Sequence, residues 1–397
     1  MIDFSFTEEQ TLLKQNARDF LERELRPLSA EIDRDAKFPA DFIRKMGEMG
    51  YMGVPIPEEY GGAGLGKVGY CILLEELGRV DASVSTILGA HCSLGSTPLL
   101  YFGTEEQKNR YLVPAARGKT LHSFNLSEPG AGSDAASIQT TAVKDGNDYI
   151  INGTKLWATN GKEADVYLVF AVTDKSLGAL GGITAFIVER KFDGLKQGAE
   201  EEKMGIRGSS TMQLFYDNVR VPKENILGEV GKGFLIAMTT LDVGRISLAA
   251  GSLGASSRAI HLAVEHAKRR VQFGKPIAEQ QAIQFKLADM GTKTRMLEYF
   301  VYNVATRAEM MGTNPAKWSK ADREVLTRDA AMLKTFASES ASFCVDECLQ
   351  IHGGTGFIKT SEIERMYRDA RISEIYEGTN EIQRMVVGRD IIKRGWD

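Results

Sequence analysis

From Gly233 onward, apolar residues recur at helical spacing over four long segments. A helical period kept up for about 30 residues needs neighbouring helices to cover its apolar stripe. Four such segments joined by short breaks predict a four-helix bundle. The segments are residues 236–270, 279–312, 321–352 and 360–393.

The middle of the chain has a different pattern. Runs of β-branched and aromatic residues alternate with Gly and Asn, which is typical of strands joined by turns. Asn152-Gly153 and Asn160-Gly161 are strong turn signals. We therefore predict a β domain, with strands at 140–143, 148–151, 166–172, 184–188 and 211–216.

The N-terminal third is helical by pattern. Helices are predicted over 7–50 and 70–102, and Thr104-Glu105-Glu106-Gln107 is typical of a capped helix start. A chain of 397 residues is long enough for two or three domains. The predicted fold is α+β and multidomain. Its parts are an N-terminal α-helical domain at 1–120, a middle β domain at 121–230 and a C-terminal helical bundle at 231–397.

Composition excludes several classes of function. Hydrophobic content of 43% and charged content of 26% are those of a soluble globular protein. A net charge of -4 gives no general attraction to nucleic acid or to an anionic membrane. The most apolar runs fall short of the roughly 20 residues of a membrane span. The first 20 residues lack a secretion core or an Arg-rich transit pattern, so we expect a cytoplasmic protein, or a mitochondrial matrix protein if a leader was removed.

The four cysteines are too few for a disulfide framework. Cys344 and Cys348 are spaced for one helix face, but no further His or Cys completes a metal site. His261 and His266 are five residues apart, which is the wrong spacing for two ligands on one helix. We predict buried free thiols and no metal.

Glu377 is the candidate catalytic residue. It lies between Tyr376, whose ring can shield a carboxylate and raise its pKa, and Gly378, whose backbone can approach a ligand closely. A Glu-Gly pair alone is usually a turn. Two further segments give it weight: Asn125-Leu126-Ser127-Glu128-Pro129-Gly130-Ala131-Gly132-Ser133-Asp134 and Gln350-Ile351-His352-Gly353-Gly354-Thr355-Gly356-Phe357.

Together with Tyr376-Glu377-Gly378-Thr379, these segments resemble the acyl-CoA dehydrogenase family, in particular its short-chain, butyryl-CoA-type branch. The resemblance runs from Phe6-Thr7-Glu8-Glu9-Gln10 to Arg384-Met385-Val386. Asn125 departs from the pattern, because the family usually has a small residue or Cys there. The resemblance implies a flavoprotein oxidoreductase of fatty acid metabolism and β-oxidation. It further implies bound FAD, an acyl-CoA substrate, an electron-transfer flavoprotein as partner, and a homotetramer.

The resemblance also implies which residues bind FAD. Trp157 would stack on the ring system and Thr159 would hydrogen-bond near N5, although a Trp in a strand is more often part of the core. Arg270 would grip the pyrophosphate, whereas a basic helix end is ordinarily a match to the helix dipole. No strand followed by Gly-x-Gly-x-x-Gly is present, which disfavours a Rossmann site. The other implied FAD contacts are Phe124, Leu126, Ser127, Gly132, Ser133, Phe273, Gln281, Thr379 and Glu381, with Gln350, Gly353 and Gly354 reaching a neighbouring subunit's FAD.

The substrate side rests on the same resemblance. Some relatives carry their catalytic Glu at the position of Gly244, so Gly244 with Glu377 implies the short- and medium-chain arrangement. Ser85 stands where glutaryl-type relatives carry an Arg, which disfavours a dicarboxylic acyl group. Implied substrate contacts are Ser133, Asp242, Arg245, Tyr376, Gly378 and His91. The implied pocket wall is Ile87, Ala90, His91, Leu94, Leu248, Ala249 and Tyr376. His91 alone would more often be a structural histidine.

The implied reaction is α,β-dehydrogenation of a short-chain or short branched acyl-CoA to the 2-enoyl-CoA. Glu377 would remove the α-proton while the β-hydrogen passes as hydride to flavin N5. The Glu377 backbone N–H and a ribityl hydroxyl of FAD would polarise the thioester oxygen. Alternatives are an alicyclic or aromatic-pathway substrate, an enoyl-CoA reductase running in the reverse, bifurcating direction, and an acyl-CoA oxidase. A silent flavin- or CoA-binding scaffold and a flavin-free helical interaction protein are the non-enzyme alternatives.

Overall fold

The structure, a computed structural model, describes residues 5–396. The ends of the first and last predicted domains, residues 1–4 and 397, lie outside it. The N-terminal region is helical, as predicted. Its helices are α1 (Glu8–Glu24), α2 (Arg26–Asp35), α3 (Ala40–Glu48), α4 (Gly66–Gly78), α5 (Ala82–Gly89), α6 (Thr97–Phe102), α7 (Glu105–Gln107) and α8 (Val113–Ala116).

The predicted single helix over 7–50 is wrong, because the chain forms α1, α2 and α3 there. Pro27 lies in the first turn of α2, where its missing N–H favours a helix start over a helix interior. Ala36 ends α2 in the left-handed region, at φ 49°. The capped start at Thr104 is confirmed. Its hydroxyl accepts from the Gln107 backbone N–H, and the Gln107 side-chain oxygen accepts from the Thr104 backbone N–H.

The predicted helix over 70–102 is likewise divided. Between α5 and α6, residues Ala90–Ser96 form a π-helical segment. A π turn holds one more residue than an α turn, so it rotates the faces of everything that follows.

The middle region is one sheet in the order β6-β7-β3-β2-β4-β5-β8, with β1 pairing in parallel with β4. The five predicted strands are confirmed. Asn160-Gly161 lies in a turn as predicted, but Asn152-Gly153 lies inside β3, where the register shifts. The elements are β1 (His122–Asn125), β2 (Thr141–Asp145), β3 (Asp148–Thr159), β4 (Val166–Val172), α9 (Gly178–Gly182), β5 (Ile183–Glu189), β6 (Leu195–Glu200), β7 (Thr211–Val221) and β8 (Ile226–Leu227).

The C-terminal region is a bundle in which α10, α11 and α12 pack on one another and α15 packs on α12. At one end of the bundle, the rings of His266 and His352 stack with centroids 4.2 Å apart, which joins the ends of α10 and α12. The elements are α10 (Gly233–Arg269), β9 (Val271–Gln272), β10 (Lys275–Pro276), α11 (Gln281–Met310), α12 (Lys320–His352), α13 (Gly354–Phe357), α14 (Glu362–Ala370) and α15 (Asn380–Arg394).

The predicted fourth helix over 360–393 is wrong. It is divided into α14, a 3₁₀ turn at Arg371–Glu374 and α15. Between the turn and α15, Glu377 and Gly378 have φ of 55° and 90°, which no right-handed helix accommodates. The interruption in the bundle therefore carries the candidate catalytic residue.

Helix α10 has the length and apolar composition of a membrane span, but 72% of its apolar window is buried inside the protein. It packs against α4, α11 and α12, as a core helix does. All four cysteines are free and buried, which confirms that prediction.

Candidate active site

Glu377 lies in a strained turn. A non-glycine residue at φ 55° costs about 1–3 kcal/mol and persists only where its surroundings hold it. Three side chains do so. Arg245 Nε donates to the Glu377 carbonyl at 3.1 Å, and Gln383 Nε2 donates to the Glu377 and Gly378 carbonyls at 3.2 and 3.1 Å. Lys334 Nζ donates to the Gly378 carbonyl at 2.9 Å.

Asp242 and Arg245 meet at this turn. Arg245 Nη1 donates to Asp242 Oδ1 at 2.7 Å, and Thr327 donates to Asp242 Oδ2 at 2.6 Å. Both charged side chains are buried. The pair orients the guanidinium toward the Glu377 backbone, so it supports the turn from α10.

One oxygen of the Glu377 carboxylate is buried without a hydrogen-bond donor, although the residue as a whole is half-buried. That oxygen, Oε2, is inaccessible to solvent and has no hydrogen-bond partner among the described residues. Burial raises the pKa of Glu377 from 4.5 to about 7, although the positive charges of Arg245 and Lys334 oppose that rise. A pKa near the working pH is what a general base needs.

Gly244 leaves the space in which this carboxylate lies. A Cβ at position 244 would be 2.5 Å from Glu377 Oε2 and 2.8 Å from Leu94 Cδ2. A side chain at 244 and the carboxylate of Glu377 therefore occupy the same volume.

His91 is not available to a substrate, which corrects the sequence-based expectation. It is fully buried; its Nε2 lies 3.2 Å from the Ala115 carbonyl, and its Nδ1 accepts from the His122 N–H at 3.2 Å. Burial lowers its pKa to about 4, so the ring is neutral at pH 7.

Ile87 is fully buried as well. The half-buried positions here are Ser85, Thr86, Gly89 and Leu94, of which Leu94 reaches the Glu377 carboxylate region through Gly244.

The two segments expected to hold the flavin come together. The Leu156 N–H donates to the Ser127 carbonyl at 2.9 Å, and a Cβ at Gly132 would be 3.9 Å from the Trp157 ring. Trp157 has φ 55° and is 57% exposed, so its ring is free to stack on a planar ligand. Gly132 and Ser133 are exposed beside it, and the Ser123 hydroxyl donates to the Thr159 carbonyl at 2.6 Å.

The side chains of Phe124 and Leu126 instead support this loop from the core. Phe124 packs on Phe170 with ring centroids 4.9 Å apart, and Leu126 is buried. Just beyond β3, Asn160 Nδ2 donates to the Ile87 carbonyl at 3.1 Å. The loop and the Glu377 turn therefore both adjoin the α5 and π-helical wall.

A buried ion pair that the sequence did not suggest organises the loop. Lys155 Nζ donates to Glu128 Oε1 at 2.7 Å and to the Leu126 carbonyl at 3.0 Å. Glu128 also accepts from the backbone N–H groups of Gln139 and Thr140, at 2.6 and 3.0 Å. The segment of residues 126–140 is therefore held to β3 at both ends by the Glu128–Lys155 pair.

Replacing Lys155 by Met is expected to lower the free energy of unfolding by about 3–5 kcal/mol, because Glu128 would remain buried without its counter-charge. We also expect less bound FAD in the purified variant. Urea denaturation and the flavin-to-protein absorbance ratio measure the two effects. Lys196→Met is the matched control. Its pair with Asp217 is exposed, so we expect a change of no more than about 1 kcal/mol. Equal losses in the two variants would contradict the assignment.

Arg270 lies at the far end of α10 from Arg245. The two residues are 25 positions apart, which corresponds to about 38 Å of helix. Arg270 makes no ion pair within residues 5–396 and is exposed, and Phe273 is 95% exposed. Gln281, Gln350, Gly353 and Gly354 are exposed too. Within one chain, the structure does not bring this group to the Glu377 turn.

The residues that flank Glu377 make contacts close to the turn. The Thr379 hydroxyl caps α15 by accepting from the Ile382 N–H, and Glu381 is exposed on the first turn of that helix. Tyr376 lies within reach of Thr86, and burial raises the pKa of its hydroxyl above the usual range. Over residues 5–396, no cluster of three or more His, Cys, Asp or Glu is arranged for a metal ion.

Lys334 and Gln383 were also missed by sequence reasoning. For Lys334 a signal was present: it lies on a face of α12 otherwise made of small apolar residues such as Ala330, Ala331 and Ala337. A lysine on such a face must find buried acceptors. Gln383 carries no such mark, because a glutamine one turn into an exposed helix is ordinary.

Comparison with known proteins identifies a class of FAD-binding oxidoreductases. Family models of the acyl-CoA dehydrogenase N-terminal, middle and C-terminal domains match residues 7–119, 123–219 and 231–392. The chain therefore belongs to the acyl-CoA dehydrogenase family, whose members are flavoprotein oxidoreductases that bind FAD.

Individual relatives cover nearly the whole chain. The "Short-chain specific acyl-CoA dehydrogenase, mitochondrial" of Bos taurus is 45% identical over 97% of this chain and 90% of its own. The "3-(aryl)acrylate reductase" of Clostridium sporogenes is 46% identical over 98% of this chain and 100% of its own. A solved structure described as "Electron transferring flavoprotein of Acidaminococcus fermentans: Towards a mechanism of flavin-based electron bifurcation" superposes with a TM-score of 0.93. It is 45% identical and covers 99% of this chain and 100% of that chain.

Proposed function

We propose that this protein dehydrogenates a short-chain or short branched acyl-CoA to the 2-enoyl-CoA, with Glu377 as the base that removes the α-proton. The observation that carries the proposal is the solvent-inaccessible, unpartnered Oε2 of a glutamate held in a strained turn. Such an oxygen is ready to accept a proton and has no competing donor. Gly244 provides the room for it.

The chain's own residues would also handle the thioester. The Glu377 backbone N–H donates to no acceptor among the described residues, so it is free to polarise a thioester oxygen. Arg245 and Gln383 fix the carbonyl of the same residue and thereby aim that N–H. Bound flavin supplies the hydride acceptor that no protein side chain can provide. Tyr376 and Leu94 would exclude water from the acyl group.

The FAD contacts are proposed as two sets. Ser127, Gly132, Ser133, Trp157 and Thr159, supported by Phe124 and Leu126, would hold the flavin ring of the same chain, with Thr379 and Glu381 nearby. Arg270, Phe273, Gln281, Gln350, Gly353 and Gly354 would serve the FAD of a neighbouring subunit. The distance of Arg270 from Arg245 along α10 supports this division into two sets. We propose a homotetramer on the family resemblance.

Other parts of the proposal rest on the family and its members. We propose an electron-transfer flavoprotein as the electron acceptor, which the solved relative described with that name supports. We also propose a cytoplasmic location and the domain boundaries 1–120, 121–230 and 231–397. The second candidate function is reduction of a ring-bearing enoyl thioester, favoured by the relative named as an arylacrylate reductase.

One experiment separates the two candidates. The purified protein is titrated anaerobically with straight, branched, alicyclic and 3-arylpropionyl-CoA thioesters of four to nine acyl carbons while the flavin absorbance is followed. Bleaching by butyryl-CoA or isobutyryl-CoA supports the first candidate, and bleaching only by the ring-bearing thioesters supports the second. A yellow protein that no acyl-CoA bleaches would contradict both.

The rate of the reaction should depend on pH in a defined direction. Glu377 acts as a carboxylate, which is populated above its pKa of about 7. We therefore expect kcat/KM for butyryl-CoA to rise with pH and to reach half its plateau near pH 7, since this parameter reports the free enzyme. A steady-state pH series tests this, and a midpoint near 4.5 would contradict the burial of the base.

A further inference from the structure

Lys334 reaches the Glu377 turn from α12, whereas Arg245 reaches it from α10. Its Nζ donates to the Gly378 carbonyl at 2.9 Å and to Asn380 Oδ1 at 2.8 Å. Arg245 and Lys334 thus hold consecutive carbonyls of the same turn, one from α10 and one from α12. The side chain of Lys334 is fully buried.

The positive charge of Lys334 is uncompensated at close range. Its two acceptors are a backbone carbonyl and an amide oxygen, and within residues 5–396 Lys334 makes no ion pair. Arg245 differs, because its charge is offset by Asp242 at 2.7 Å. A buried ammonium without a partner is costly, so it gains from any carboxylate that its field reaches.

The other carboxylates around the turn do not offset the positive charge of Lys334. Asp242 is taken up by Arg245 and Thr327, and Glu374 by Arg371 and Ser342. Glu381 is exposed, where solvent screens it. The Glu377 carboxylate is the strongest favourable charge acting on Lys334, and Lys334 in turn favours the ionised form of Glu377.

We propose that Lys334 is a positioning residue for the reaction: its ammonium fixes the Glu377–Gly378 turn through the Gly378 carbonyl and favours the ionised form of the Glu377 carboxylate. This inference rests on the proposed function of Glu377 as the base. Burial lowers the pKa of Lys334 itself to about 8, so its support should weaken in alkaline solution.

The test compares Lys334→Met, which removes both bond and charge, with Lys334→Gln, which retains a donor, and Lys334→Arg, which retains the charge. Anaerobic stopped-flow bleaching by butyryl-CoA is measured from pH 6 to pH 10 for each holoenzyme. In the Met and Gln variants we expect the pH midpoint to rise by about one unit, the usual effect of losing a nearby opposite charge. At pH 7, where the parent carboxylate is already about half protonated, this is roughly a fivefold loss of rate, recovered largely at pH 9, and Lys334→Arg should keep the parent midpoint.

Two outcomes would overturn the proposal. One is a Met or Gln variant that is slower by the same factor at every pH, which a purely structural role would produce. The other is an unchanged midpoint in Lys334→Gln, which serves as the deciding variant if Lys334→Met does not fold. Failure of the proposed function looks different: the parent protein itself would then not bleach, or would bleach equally well as Glu377→Gln.

Discussion

Replacing Glu377 by Gln is expected to slow flavin bleaching by butyryl-CoA by about 10²- to 10⁴-fold, the usual contribution of a positioned general base. The amide has nearly the same shape and should keep the bonds that Arg245 and Gln383 make to the Glu377 carbonyl. It cannot accept the α-proton. FAD content and the visible spectrum should stay those of the parent, because the residues expected to hold the flavin ring lie on β1, β3 and the loop between β1 and β2.

Glu377→Gln should affect stability in the opposite direction to activity. The raised pKa of Glu377 means that burial costs the ionised carboxylate free energy, so removing the charge should leave the free energy of unfolding at pH 8 unchanged or higher. Urea denaturation measures this. Glu298→Gln, at an exposed pair on α11, is the matched control and should bleach at the parent rate. Near-parent bleaching by Glu377→Gln would end the assignment of the base.

Replacing Gly244 by Ala is expected to lower the bleaching rate by roughly 10²-fold. The added Cβ would lie 2.5 Å from Glu377 Oε2, so the carboxylate must move, and a displacement of about 1 Å can cost that much. The atoms that clash are the flexible ends of Glu377 and Leu94, and Ala favours a helix over Gly by up to about 1 kcal/mol. Stability should therefore be kept while activity falls.

Gly388→Ala is the matched control for Gly244→Ala. It is also a helical glycine, on α15, and a Cβ there would meet nothing within 4 Å. We expect parent activity from this control, with thermal melting to compare the two variants. A Gly244→Ala protein that bleaches as fast as Gly388→Ala would show that the carboxylate does not depend on this space.

Hydrophobic periodicity predicted the fold correctly where one helical pattern continued over a long segment. Long helical runs gave α10, α11 and α12 to within a few residues, because an apolar stripe of that length has one way to be buried. The points at which shorter helical runs break could not be predicted from periodicity. Pro27 and the π turn at Ala90–Ser96 interrupt apolar patterns that look continuous in the sequence.

The candidate site was predicted as residue types more than as contacts. The resemblance implied Glu377 as the base, Asp242 and Arg245 toward it, and a loop running beside Trp157, and the structure brings each of these groups together. It placed His91 toward the acyl group, whereas the structure buries the ring between the Ala115 carbonyl and the His122 N–H. It could not find Lys334 or Gln383, whose contacts join residues more than forty positions apart or depend on the broken helix.

The sequence by itself determined the order of helical and β regions, the family, and the identity of the glutamate opposite a glycine. These features depend on patterns of residues that are close together in the chain. Only the tertiary structure decided that the fourth helix breaks to form a strained turn and that an uncompensated lysine supports it. It also decided that Arg270 lies about 38 Å of helix away from Arg245. Such facts depend on where distant segments meet, because burial and charge act through space.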